Sequence, residues 1–202
     1  VTTTEEAGVR SPRRERTRER LLDAAFDVFA RLGVQGASIE AVCDAAGFTR
    51  GAFYSNFESK EELFLALMDR EMRTHLADLE RSVAAIEPAT LDTPDGFRAA
   101  LRTVIAAVGP DAPGERQWCV MALEFELLAM RDPDVAARYT AGQQRQRNEL
   151  VAVLTRVLDS LGLRFTVDPA TAVDLLLGAY EAGSRAAMLG ASADQHREVL
   201  IE

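Results

Sequence analysis

Apolar positions recur along this chain at intervals of three and four residues, the spacing that gathers side chains on one face of an α-helix. In the first periodic segment Leu21, Leu22, Ala25, Phe26, Phe29 and Ala30 form that face, while Arg20, Asp23, Asp27 and Arg31 fill the other and Gly33 ends the run. A short second segment opens at Ser38, a residue suited to capping, passes through Ile39, Ala41, Val42 and Ala45, and stops at Gly47. The third covers Thr49 to about Asn56. Ser59-Lys60-Glu61-Glu62 is a capping box, and it opens a long fourth segment with the stripe Leu63, Phe64, Leu67, Met68, Met72, Leu76, Leu79, Val83 and Ile86. Farther on, Thr93-Pro94, Asp132-Pro133 and Asp168-Pro169 each set a cap before a proline at the first helical position. Together with a second capping box at Ser192-Ala193-Asp194-Gln195, these predict helices near 94–108, 115–131, 133–161, 169–189 and 193–201. No alternating strand pattern interrupts them, so the expected fold class is all-α.

Composition narrows the setting. With 202 residues, 48% hydrophobic and 27% charged, the chain has the make-up of a globular protein with a sizeable core. Cys43 and Cys119 are too few for a disulfide framework, and a reduced cytoplasmic location is expected. The most apolar stretch, Val173 to Leu189, is broken by Asp174, Glu181 and Arg185 within the roughly 18 residues a membrane span requires. Val1 to Arg20 is polar and lacks the apolar segment of a signal peptide, so no membrane partner is expected. The net charge of −9 is unevenly spread: residues 10–60 hold nine bases against seven acids, and residues 61–202 hold 14 bases against 23 acids. A mildly basic head on an acidic body suits a polyanion met at one end only.

The head also carries the most informative stretch, residues 38–60. Two short helices meet at Gly47, where the turn needs a residue that tolerates positive φ. Cys43, four residues earlier, is small enough for the helices to cross closely, and Val42, Ala46, Phe48 and Phe53 form the wedge between them. Small, glycine, then apolar at these offsets is the pattern of a helix-turn-helix. The other face of the second helix offers Thr49, Arg50, Tyr54 and Asn56, which supply donors, a planar fork and an aromatic hydroxyl for reading a DNA groove. Upstream, Arg13, Arg14, Arg16 and Arg18 form an arginine-rich arm, open to either solvent or DNA and tempered by Glu15 and Glu19.

The stretch RERLLDAAFDVFARLGVQGASIEAVCDAAGFTRGAFYSNFESKEELF resembles the N-terminal domain of the TetR family of bacterial transcriptional regulators. The resemblance runs through residues 16–64 and includes the Phe-Tyr-x-x-Phe and Ser-Lys-x-x-Leu pieces. It implies a homodimeric regulator, usually a repressor, that binds a palindromic double-stranded DNA operator and is released by a small molecule held in the C-terminal domain. It further implies a three-helix DNA-binding domain at 10–60 and a larger helical ligand-binding and dimerisation domain at 61–202. Position by position, Thr49 caps the recognition helix, Arg50 is the candidate for a guanine edge, and Tyr54 matches the family's tyrosine. Asn56 stands where the family often has histidine or tyrosine. Ser38 and Lys60 sit at helix N-termini, which favour a phosphate. Cys43 replaces a more usual alanine and reads as core packing.

In the body, Trp118, Met121, Phe125 and Leu128 recur on one helix and suggest either ordinary core or the wall of an apolar ligand pocket. Arg102, His75, Tyr139, Gln143 and Tyr180 could orient a ligand there. Small residues four apart, Gly178, Ala182 and Ala186 beside Ala179, Gly183 and Ala187, make a shallow ridge for a close helix approach. With Leu175 on the same helix and Val199 on the last, they form the expected dimer interface. No glycine-rich phosphate loop, no Cys/His set at metal spacing and no Gly-x-Ser-x-Gly elbow occurs, so neither an enzyme, a metal nor a cofactor is expected.

Overall fold

The computed structural model describes residues 11–87, 93, 95, 96, 98, 99 and 115–190. Among them are seven helices: α1 (Pro12–Leu32), α2 (Ile39–Ala46), α3 (Arg50–Tyr54), α4 (Lys60–Ala84), α5 (Glu115–Arg131), α6 (Pro133–Ser160) and α7 (Pro169–Met188). The described residues contain no strand, and the all-α expectation holds. The helix expected near 94–108 is described only at Asp95, Gly96, Arg98 and Ala99, all helical, and the one at 193–201 lies outside the described residues. So do Arg102 and Val199.

The chain divides into two compact units, Val1–Leu67 and Met68–Glu202. The boundary falls seven residues beyond the expected one at 60/61, and the reason is packing. Leu63, Phe64 and Leu67, on the first turns of α4, are fully buried, and the Phe64 ring meets Phe29 edge-on with centroids 5.7 Å apart. These side chains complete the core of the first unit, which also holds Leu21, Leu22, Ala25, Val28, Phe29, Val42, Cys43, Phe53 and Phe57. The buried face of α1 is turned slightly from the expected stripe: Ala24 and Val28 are inside, Phe26 is half-buried and Ala30 is exposed. On α2, Ala45 likewise faces out.

Capping fixes where these helices begin. Ser11 Oγ accepts from the Arg14 amide and Pro12 takes the first position, so α1 starts inside the arginine-rich segment expected to be an arm. Ser38 Oγ accepts from the Ala41 amide at 3.1 Å, and Thr49 Oγ1 from the Ala52 amide at 3.3 Å.

The second unit is built the same way. Asp132 accepts from the amides of Asp134 and Val135 to open α6, and Asp168 from the Thr171 amide to open α7. Leu76, Leu79 and Val83 of α4 pack with Val153 of α6, flanked by Met72, Leu150, Leu154 and Val157. Gln146, almost completely buried on α6, donates from Nε2 to Asp69 Oδ1 at 3.0 Å, which satisfies a polar group that burial would otherwise penalise. Arg147 binds Asp174 with two N–H groups and the Ala170 carbonyl with one, tying α6 to the start of α7. Among the described residues no helix is long and apolar enough to cross a membrane.

Candidate nucleic-acid interface

The turn between α2 and α3 is set by Gly47, at φ 69° and ψ 37°. In that left-handed conformation its amide closes on the Asp44 carbonyl, and the next amide, of Phe48, reaches back to the Cys43 carbonyl at 2.9 Å. Val42, Cys43, Ala46 and Phe53 are buried at the crossing, as the sequence pattern requires, and Phe48 is half-buried beside them. Burial, with Asp44 and Glu40 nearby, pushes the Cys43 thiol up from its ordinary value, so it stays a neutral packing group.

Three arginines of α1 finish the motif from behind. Arg14 Nη2 donates to the Ser55 carbonyl at 2.7 Å, and Arg18 Nη1 to the Asn56 carbonyl at 3.3 Å. Arg20 Nη2 donates to the Ala46 carbonyl at 2.8 Å. Each meets a carbonyl left over at a helix C-terminus, where the dipole also favours a cation. Arg18 and Arg20 in addition lie over the rings of Phe57 and Phe48 at 4.3 and 4.7 Å. The arginine-rich segment is thus partly a brace for α2 and α3. The i, i+4 spacing of Arg14 and Arg18 is the sequence signal that they share a face.

On the outward side, Arg50 and Tyr54 stand one helical turn apart and both are exposed. Arg50 Nη2 donates to the Tyr54 hydroxyl at 3.4 Å, and its Nη1 pairs with Glu40 Oε1 at 2.5 Å. The Tyr54 hydroxyl and then Glu40 raise the Arg50 guanidinium further above its ordinary value. Ser38 and Thr49 are exposed with their hydroxyls engaged as caps. Asn56 differs from expectation. It is half-buried, its Nδ2 donates to the Ala52 carbonyl at 2.8 Å, and its Oδ1 has no partner among the described residues. The amide closes the last turn of α3 instead of facing outward with Arg50. Lys60 is turned back too: its Nζ donates to the Gln35 and Ala37 carbonyls at 3.1 and 2.9 Å, steadying the loop before α2. Glu40 is not among the sequence-predicted site residues, since ten residues and a turn separate it from Arg50.

In the second unit, Met121 and Phe125 are fully buried, and Trp118 and Tyr180 are half-buried. The Phe125 and Tyr139 rings lie 5.7 Å apart between α5 and α6. The Tyr139 hydroxyl accepts from Gln143 Nε2 at 3.0 Å, and burial, with Glu126 and Glu181, pushes the phenol up to about 12. On α7, Leu175, Gly178 and Ala182 are exposed, Ala179 and Ala186 are half-buried, and none of the described residues lies within 4 Å of a Cβ placed at Gly178. Gly183, also expected at the interface, is buried next to Ser184.

Two short helices crossing at a left-handed glycine, with an exposed arginine and tyrosine on the second, define the helix-turn-helix class of transcriptional regulators. Comparison with known sequences narrows this. The profile described as "Bacterial regulatory proteins, tetR family" matches residues 21–67, and "BetI-type transcriptional repressor, C-terminal" matches residues 97–181. The chain belongs to the TetR family, whose members are transcriptional regulators and not enzymes. It is 31% identical over 149 residues to the HTH-type transcriptional activator FasR of Mycolicibacterium smegmatis, covering 74% of this chain and 63% of FasR. To the HTH-type transcriptional regulator UidR of Escherichia coli K12 it is 31% identical over 123 residues, 60% of this chain and 56% of UidR. The chain therefore spans less than two thirds of either relative. The fold is also similar to that of the transcriptional regulator FadR of Bacillus subtilis, solved in complex with stearoyl-CoA, with TM-score 0.64, 18% identity, and coverage of 91% of this chain and 97% of FadR.

Proposed function

We propose that this chain acts in the cytoplasm as a homodimeric, ligand-responsive regulator that sets α3 into the major groove of a palindromic operator and represses the genes behind it. The exposed Arg50 and Tyr54 on one face of α3 carry the reading. Arg50 supplies a fork for guanine O6 and N7, and Tyr54 and the capped N-termini at Thr49 and Ser38 meet phosphates or a thymine methyl. Lys60 keeps one ammonium proton for a phosphate beyond its two carbonyls, and Asn56 acts by holding the end of α3. Residues 10–60, with the start of α4 completing their core, form the DNA-binding domain, and the rest forms the effector and dimer domain.

The effector reading draws on Trp118, Met121, Phe125, Tyr139, Tyr180 and Arg102, an apolar set with a few polar groups, and on FadR holding stearoyl-CoA. The dimer reading draws on the exposed strip Leu175, Gly178 and Ala182, with Ala179 and Ala186 beside it, and on Val199 as an apolar position farther along the sequence. The description of the C-terminal profile favours repression, and the name of FasR favours activation as the second reading. The full chain, offered a pool of random-sequence duplexes, should enrich an inverted repeat with half-sites about one helical turn or more apart. Stearoyl-CoA should then quench Trp118, the sole tryptophan, saturably and release the enriched duplex. A pool with no enriched repeat overturns the DNA reading, and quenching without release overturns the inducer reading.

A further inference from the structure

Between Ser38 and Phe57 the sequence holds a single base, Arg50, against two acids, Glu40 and Asp44. The segment that carries α2, the turn and α3 is therefore net negative, and its one cation is already engaged. Glu40 Oε1 lies 2.5 Å from Arg50 Nη1, with 52% and 60% of the two side chains exposed. Ion pairs this open to water add little to fold stability. The pair sits instead where the groove would be read, and the Tyr54 hydroxyl holds the other arm of the same guanidinium.

We infer that Glu40 is a specificity-determining residue of the operator interface: its carboxylate holds the Arg50 guanidinium away from the phosphate backbone, so that only a guanine edge captures it. This rests on the reading of α3 as the recognition helix. A phosphate offers the guanidinium a charge, which any sequence can supply, and a bound carboxylate competes with that charge directly. Guanine O6 and N7 offer two aligned acceptors, which can be met by the fork while the carboxylate still braces it. Glu40 thus acts as a penalty against wrong partners, and discrimination comes from weaker binding to random DNA. The first turn of α2 also favours an acid through the helix dipole. That effect would change stability and leave the salt dependence of binding unaltered.

The test compares the wild-type chain with Glu40→Gln, Arg50→Ala and the double variant, using one random-sequence duplex and the duplex enriched by the wild type, across a salt series. Glu40→Gln should bind the random duplex roughly three- to ten-fold more tightly at low salt, with a slope against log salt steeper by about one unit. Its ratio of specific to random affinity should fall, and in the Arg50→Ala background these changes should vanish. Unaltered random-duplex affinity and slope in Glu40→Gln would overturn the inference. A Glu40→Gln effect that persists undiminished without Arg50 would also overturn it, since simple repulsion would then suffice. If Arg50→Ala binds both duplexes as the wild type does, the assignment of α3 itself fails, and this inference with it.

Discussion

Arg14 on the first turn of α1 donates to the carbonyl of Ser55, the residue that closes α3, at 2.7 Å. One turn later Arg18 does the same for Asn56 while lying over the Phe57 ring. A five-residue helix cannot hold its own shape in water, because nucleation is unfavourable and so short a run makes few intrahelical bonds to offset it. Its conformation is fixed from outside, by α1 and by burial of Phe53. Arg18→Ala should therefore lower unfolding free energy by about 1–2 kcal/mol, from one charge-assisted hydrogen bond and one cation–π contact. Denaturant unfolding of the full chain reads this; no change would mean that the brace is idle.

Gly47 isolates a torsional effect. Among the described residues a Cβ there would meet only Arg20 Nη2, at 3.5 Å, an ordinary contact with a movable side chain. The left-handed φ of 69° remains unfavourable for alanine. Gly47→Ala should be destabilising by about 1–2 kcal/mol, and Gly47→Asn, which tolerates this region better, should recover part of the loss. Equal loss in both variants would point to crowding.

The Arg147 hydrogen bond holds the Asp174 carboxyl below the usual carboxylate range. With its folded value depressed, Asp174 contributes stability that is present above its unfolded value and lost as pH falls through the folded one. Asp174→Asn should be less stable than wild type at neutral pH, and the gap should close in acid. Stability curves of the two proteins that stay parallel down to low pH would contradict the pairing.

Tyr139 titrates at the other end of the scale. Its phenol, raised to about 12 from an ordinary 10.0, favours the neutral form in the folded state. That contribution to stability is complete below the unfolded value and disappears as pH rises through the folded one. Tyrosinate absorbance of the native protein should show a component near 12 that Tyr139→Phe removes. Loss of a component at the ordinary 10.0 instead would place Tyr139 in water.

What could be read in the sequence was local. Ser38, Thr49, Asp132 and Asp168 act as caps in the structure because a cap and its amide are two or three residues apart. Gly47 was legible for a similar reason, since its conformation belongs to the residue. The site itself was legible only in part. The pairing of Glu40 with Arg50, the reach of Lys60 to Gln35 and Ala37, and the inward turn of Asn56 all depend on how helices cross. Residue spacing carries no such information. The same holds for α1, where periodicity identifies an apolar face but its neighbours decide that Val28 is buried and Ala30 is not.

Whether Arg50 reads a base edge from α3 is decided by the affinity of wild type and Arg50→Ala for the enriched duplex and for its single-guanine variants. Arg50→Ala should lose about 1–3 kcal/mol of discrimination, roughly 5- to 150-fold, confined to one guanine in each half-site. Equal discrimination by both proteins at every position would contradict it.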